Sequence, residues 1–255
     1  MASTPVATMR LMTSQRPALG NVATYNIHHG APPKLMAARP GWLRAVRGLD
    51  ADILAVQEVD RFNPRSGFVD QVRLIARATG LYPVFARTRR MFGVGQYGHA
   101  LLCREAPSAV ELVKLPEFGG ERRLAILAAL RLAGAPISVA AVHLHNEPRV
   151  ASAQLEVVVE RLLRRPGPHL LIGDLNLGPG RIGGRLQQAG LSSVGSPHTF
   201  PSWEPKRQID WIVGSGLDVG PVWVGAAATS DHLPLLAEVR KHDASDVPSD
   251  LLGGP

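Results

Sequence analysis

The sequence predicts an α/β fold in which two mixed, mainly antiparallel β-sheets pack face to face with helices on the outside. Short apolar runs alternate with amphipathic segments and with Gly/Pro punctuation along most of the 255 residues. Several strands succeed one another without an intervening helix, whereas a purely parallel series needs a helix after nearly every strand. Some runs are apolar almost throughout, as expected of strands covered on both faces.

Residues 21–27 read as the first strand, with Val22, Tyr25 and Ile27 apolar. A helix over 42–49 follows Pro40 and Gly41, and residues 52–59 form a nearly continuous apolar strand. Val69, Val72, Ile75 and Ala76 make one helical stripe within 69–79, which Gly80 is suited to stop. Strands are expected at 82–86, 99–103, 109–114, 124–132 and 137–143. The longest helix covers 149–165, with Leu155, Val158, Val159 and Leu162 on its apolar face. A strand at 169–173, a short helix at 182–189 and strands at 209–213, 219–224 and 233–239 complete the series.

No internal repeat or long linker divides the chain, so one domain over 20–240 is expected, flanked by flexible segments at 1–19 and 241–255. Hydrophobic residues make up 45% of the chain, enough for a real core, and no run has the length for membrane insertion. The start of the chain lacks the compact apolar stretch of a secretory signal, and Cys103 stands alone, so a cytoplasmic location is expected. The net charge of +7 mildly favours a polyanionic partner. Among the 28 basic residues only Lys34, Lys114, Lys206 and Lys241 are lysines, so part of that balance reflects an Arg-rich coding composition.

Several strands end in side chains able to bind metal or phosphate. They are Tyr25-Asn26-Ile27-His28-His29-Gly30, Gln57-Glu58-Val59-Asp60, His143-Leu144-His145 and Gly173-Asp174-Leu175-Asn176. Ile209-Asp210-Trp211 opens a strand, and Ser230-Asp231-His232 precedes the last. Strand-end loops are where a rigid sheet brings distant residues together. Mg2+ and Mn2+ take hard oxygen ligands and keep waters, so one or two carboxylates suffice. Glu58 is the principal candidate, with Asn26, Asp174, Asn176 and Asp231 as further or water-mediated ligands. Water attacking phosphorus needs a base near neutrality, and a histidine oriented by a carboxylate, His232 by Asp210, suits that role. Taken singly, each motif has an ordinary structural alternative as a turn, a solvated strand end or a core histidine. Asp210 is the hardest to set aside, because a carboxylate inside an apolar strand must find a partner.

Taken together and in order, the strings YNIHHG, LAVQEVD, YGHALLCR, AVHLH, LIGDLN, RQIDWI and SDHLP resemble the endonuclease/exonuclease/phosphatase superfamily. The resemblance runs from about residue 21 to 238 and is closest to a bacterial branch. It implies a monomeric four-layer α/β sandwich of the DNase I type and a Mg2+- or Mn2+-dependent attack of water on a phosphate ester. It implies Glu58 as the main metal ligand with Asn26 beside it, His143 on the scissile phosphate or leaving group, and Asp174 and Asn176 on the water and phosphate. Asp231 would support metal or phosphate, and Asp210 would pair with His232. Either His232 or Asp174 takes the water's proton, and His232 is the expectation.

Departures from the family pattern mark His99, where Asn is usual, and Cys103, where Ser is usual. His99 is a candidate substrate contact or a tolerated exchange, and Cys103 a small buried residue. His28 and His29 are candidates for a second metal contact or for a hydrogen bond at the site rim. Arg122 or Arg123 could bind a substrate phosphate, the alternative being a surface ion pair.

The expected function is therefore a metal-dependent phosphodiesterase or nuclease acting on nucleic acid. The alternatives are a hydrolase of a small phosphate ester, such as an inositol phosphate or lipid headgroup, and a non-catalytic binding module. Retention of Glu58, Asp210 and His232 speaks against the last. The nearest approach to a DNA-gripping loop is the Arg-rich stretch at 87–92, which could equally be an ordinary exposed loop.

Overall fold

A computed structural model describes residues 18–31, 41–91, 93–195, 197–226 and 229–242. Most of the two flanking segments, and Phe92 of the Arg-rich stretch, lie outside the described residues.

Six strands form one sheet in the order β10-β11-β1-β2-β4-β3, where β1 is Ala18–Asn26, β2 Ile53–Arg61, β3 Tyr82–Met91, β4 Gly95–Cys103, β10 Leu217–Val224 and β11 Leu235–Lys241. Five form the other in the order β5-β6-β7-β8-β9, with β5 Ser108–Lys114, β6 Leu124–Leu132, β7 Ala135–His143, β8 His169–Asp174 and β9 Asp210–Ser215. Each sheet contains one parallel pair, β1 with β2 and β7 with β8; the other pairings are antiparallel. Helices α1 (Trp42–Arg47) and α2 (Gln71–Thr79) cover the first sheet, and α3 (Pro148–Leu163) and α4 (Pro179–Gln188) cover the second.

Strand alternation produces these layers. In β2, Ile53 and Ala55 join the core between the sheets, while Leu54 and Val56 pack under α1 and α2. In β6, Ile126 and Ala128 face the first sheet, and Ala125 and Leu127 face the α3 and α4 layer. Each fully buried Leu or Ile in these layers contributes about 1.5–3 kcal/mol. The expected four-layer α/β sandwich is therefore observed.

The parallel pairs decide where function can reside, because parallel neighbours end at the same sheet edge. Asn26 aligns with Gln57, His143 with Asp174, and Asp174 with Asp210 across the antiparallel β8–β9 pair. The first strand begins at Ala18 and the last ends at Lys241, slightly wider than the expected 20–240.

One expectation needs correction. The Arg-rich stretch is not a loop: Arg87, Arg89, Arg90 and Met91 pair with β4 as the outer half of edge strand β3. Charged side chains on an edge strand discourage pairing with another chain, so this run is compatible with a strand.

Candidate active site

Glu58 owes its position to a bulge. Between the pairs Val56–Ala100 and Val59–Gly98, β2 carries Gln57 and Glu58 where β4 has only His99. Glu58 has a φ of 58°, and a bulge of this kind re-aims a side chain. Gln71, the first residue of α2, braces the region. Its Oε1 accepts from the Asp60 N–H at 2.8 Å, and its Nε2 donates to the His29 carbonyl at 2.8 Å.

Asn26 joins the two sheets. Its Nδ2 donates to Glu58 Oε1 and to Asp174 Oδ2, both at 3.2 Å, while its Oδ1 accepts from the His28 N–H at 3.1 Å. The Asn26 nitrogen thus faces both carboxylates and its oxygen faces the His28 N–H. The Asn26 carbonyl in turn accepts from Ser230 Oγ at 2.7 Å, which ties the loop before β11 to the end of β1.

His232 Nδ1 lies 2.8 Å from Asp210 Oδ2, and its Nε2 lies 3.8 Å from Asp174 Oδ2. Thr199 Oγ1 donates to the same Asp210 oxygen at 2.5 Å. Burial alone would lower the pKa of this histidine, but the charges of Asp210, Asp174 and Asp231 outweigh it and raise the pKa well above the usual value. Asp174 is buried beside Asp210, and both effects raise its carboxyl far above the ordinary range, against the pull of His232. Its Oδ1 accepts from the Asn176 N–H at 2.9 Å. Only glycine fits before it, because a Cβ on Gly173 would stand 2.1 Å from the Val142 carbonyl oxygen.

His143 Nε2 points at Asp174 Oδ2 from 3.6 Å, and its Nδ1 lies 2.9 Å from Arg123 Nη1. A guanidinium only donates, so Nδ1 accepts and the proton of the neutral ring resides on Nε2. Burial and the Arg123 charge hold this ring well below the usual histidine pKa, which keeps it neutral. Burial would raise the Glu58 carboxyl, but the neighbouring His29, Asn26 and His28 lower it far below the usual range.

The structure thus brings together Asn26, Glu58, His143, Asp174, Asp210, Asp231 and His232. Asp231 is partly exposed, lies 3.1 Å from Ser230 Oγ and faces His28 Nδ1 at 4.0 Å. Asn176 spends its Nδ2 on the Leu144 carbonyl at 3.1 Å and braces the loop. Two expected substrate contacts are not on the site's exposed surface. Arg122 is an exposed residue 3.3 Å from Glu117, so the surface ion pair is what forms. His99 is 1% exposed on the inner face of β4, closed off from the site surface. Sequence reading also missed Thr199 and Gln71. Neither stands in a motif, and both act through segments distant along the chain.

Two clusters among the described residues could hold a metal ion: His28, His29 and Glu58, and Asp174, Asp210 and His232. The first fits a cation. Glu58 is ionised, and the Nδ1 atoms of His28 and His29 are buried without a hydrogen-bond partner. In the second, His232 and Thr199 share Asp210 Oδ2, and Asn26 and Asn176 bond Asp174, while Asp210 Oδ1 is buried without a partner.

The sheet ends thus gather a carboxylate at a bulge, a histidine–aspartate pair and a neutral histidine. The family model described as "Endonuclease/Exonuclease/phosphatase family" matches residues 23–232, and the chain belongs to that family. Membership supports phosphoester hydrolysis as the class of reaction. Among solved structures, an endonuclease/exonuclease/phosphatase from Beutenbergia cavernae DSM 12333 is 22% identical with a TM-score of 0.75, over 88% of this chain and 72% of that one. The human Nocturnin catalytic domain with bound sulfate is 19% identical with a TM-score of 0.68, over 89% and 96% of the two chains. D. rerio TDP2 complexed with single-strand DNA product is 16% identical with a TM-score of 0.66, over 87% and 98%. The search of curated proteins returned no match.

Proposed function

We propose that this protein is a divalent-metal-dependent phosphodiesterase that cleaves single-stranded nucleic acid by attack of water on phosphorus. The observation that carries the reading is the 2.8 Å His232–Asp210 pair facing Asp174, itself joined through Asn26 to the ionised Glu58. Glu58 would hold a Mg2+ or Mn2+ ion, which would supply Lewis-acid stabilisation of the phosphoryl oxygens.

The protein's own groups divide the remaining work. Asp174, with its raised pKa, accepts the proton of the attacking water. His232, kept protonated between Asp210 and Asp174, donates to a phosphoryl oxygen and stabilises the negative charge of the transition state. The expected base was His232; its high pKa favours the opposite division, since an imidazolium cannot take a proton. His143 presents Nε2–H to the phosphate or leaving oxygen, and Arg123 fixes that tautomer.

The substrate class rests on charge and exposed aromatic rings. The chain carries a net charge of +7. Phe62 and Phe68, which follow β2, and Trp203, in the loop hydrogen-bonded to Ser230 and Asp231, expose their side chains on segments that carry the site. Exposed aromatic platforms on a chain of net positive charge suit unpaired bases. The TDP2 neighbour was itself solved with single-strand DNA product.

The test is a substrate panel with Mg2+ or Mn2+: single- and double-stranded DNA, abasic-site DNA, RNA, bis-p-nitrophenyl phosphate, p-nitrophenyl phosphate and inositol phosphates. Metal-dependent cleavage of single strands that disappears in His232→Ala supports the reading. Faster turnover of a monoester or an inositol phosphate than of any nucleic acid overturns the substrate assignment.

A further inference from the structure

Immediately after β1 the chain makes a tight turn in which two consecutive non-glycine residues, His28 and His29, have φ values of 45° and 47°. Residues with side chains rarely occupy this region, and such outliers persist only where the surroundings fix them. Here Asn26 Oδ1 accepts from the His28 N–H, the His29 carbonyl accepts from Gln71, and Gly30 and Ala31 donate back to Ile27 and His28. The result is a pair of imidazoles whose rings stand 4.5 Å apart, edge to face, beside Glu58.

Both Nδ1 atoms turn inward, and neither has a hydrogen-bond partner although both are buried. One ligand atom from each of His28, His29 and Glu58 lies within 4.8 Å of the others, and His29 Nδ1 is 3.8 Å from Glu58 Oε2. Leaving two such atoms without partners costs stability. Metal–ligand bonds of about 2.0–2.2 Å allow ligand atoms up to about 4.4 Å apart, a limit that the 3.8 Å His29–Glu58 pair meets.

Resting on the phosphodiesterase reading above, we infer that His28 and His29 bind the metal through Nδ1 alongside Glu58, making a two-nitrogen, one-carboxylate centre. Mg2+ demands oxygen ligands, whereas imidazole suits the later divalent transition metals and is accepted by Mn2+. The centre therefore selects Mn2+, Co2+ or another first-row transition ion over Mg2+. Asp231, 4.0 Å from His28 Nδ1, stands beyond this set and contributes charge. Three protein ligands leave positions open for water and a phosphoryl oxygen, as a catalytic metal site requires.

The test measures binding of the metal ions alone. His28→Asn and His29→Asn, singly and together, keep side chains that tolerate a positive φ and exchange nitrogen ligands for amide oxygens. Folding of each variant is checked by circular dichroism and thermal melting. Pulsed electron paramagnetic resonance of wild type loaded with Mn2+ is expected to show coupling to imidazole nitrogen, lost in the double variant. By titration calorimetry the double variant binds Mn2+ at least about tenfold more weakly, the scale on which even supporting partners matter, while its Mg2+ affinity changes less. Mn2+ bound in a Glu58-dependent manner without nitrogen coupling overturns the two-histidine site and leaves the phosphodiesterase reading standing. Failure of wild type to bind any divalent ion overturns both.

Discussion

Between Asp210 and Asp174, the His232 ring has its charge state set by neighbours rather than by its own chemistry. His232→Gln removes the cation that opposes the rise in the Asp174 pKa. The variant is expected to lose about 10^2–10^4-fold in kcat, the usual worth of a proton-handling group. In its residual activity the acid limb of the kcat/KM profile moves to higher pH, because the base must lose its proton without help. A limb that stays in place or moves to lower pH contradicts the assignment of Asp174.

His99 belongs to the same scale. Burial and the Arg123 charge lower its pKa from 6.5 to about 4. A histidine depressed in the folded state contributes stability that is full above its unfolded pKa of 6.5 and lost as pH falls through about 4. That contribution amounts to about 3 kcal/mol. Urea unfolding from pH 7 down to pH 4 is expected to show wild type losing about this much more stability than His99→Asn. Equal losses would mean that this ring is not held neutral in the fold.

At the scale of elements, the parallel pairs matter most, since they bring the ends of β1, β2, β7 and β8 to one edge. Gly173 is where this geometry is least forgiving, with a φ of 144° and no room for a Cβ beside Val142. Gly173→Ala is expected to cost about 3 kcal/mol or more in denaturant unfolding, and a smaller cost would show that β7 and β8 can separate.

Much of this level was legible in the sequence. Continuous apolar runs marked the doubly covered strands, and the polar strings at strand ends marked Glu58, Asp174, Asp210 and His232. Other features were hidden for physical reasons. No glycine announces the bulge at Glu58, because hydrogen bonds from elsewhere hold it. Arg122 and Arg123 are adjacent, and only the register of β6 decides which one turns inward to His143. The β3 arginines read as a loop because charge on an edge strand resembles charge in a turn. Thr199 reaches Asp210 from a loop with no pattern of its own.

For the whole molecule, the relevant facts are the cationic balance and a site open at one end of the sandwich. No helix among the described residues is long and apolar enough to cross a membrane. If the positive charge engages nucleic-acid phosphates, raising salt from about 50 to 200 mM weakens single-strand binding roughly tenfold for a few contacts. Hydrolysis of bis-p-nitrophenyl phosphate, which engages no extended backbone, then changes far less. Equal salt dependence for both would remove the extended-strand substrate from the account.

The most direct test is single-turnover cleavage of an end-labelled single-stranded DNA by wild type and by Glu58→Gln, with Mn2+ and with a chelator. Cleavage by wild type that the chelator stops, and that Glu58→Gln cannot perform, is the predicted result. Cleavage by Glu58→Gln at the wild-type rate, or wild-type cleavage that persists in the chelator, would contradict a metal-assisted reaction at this site.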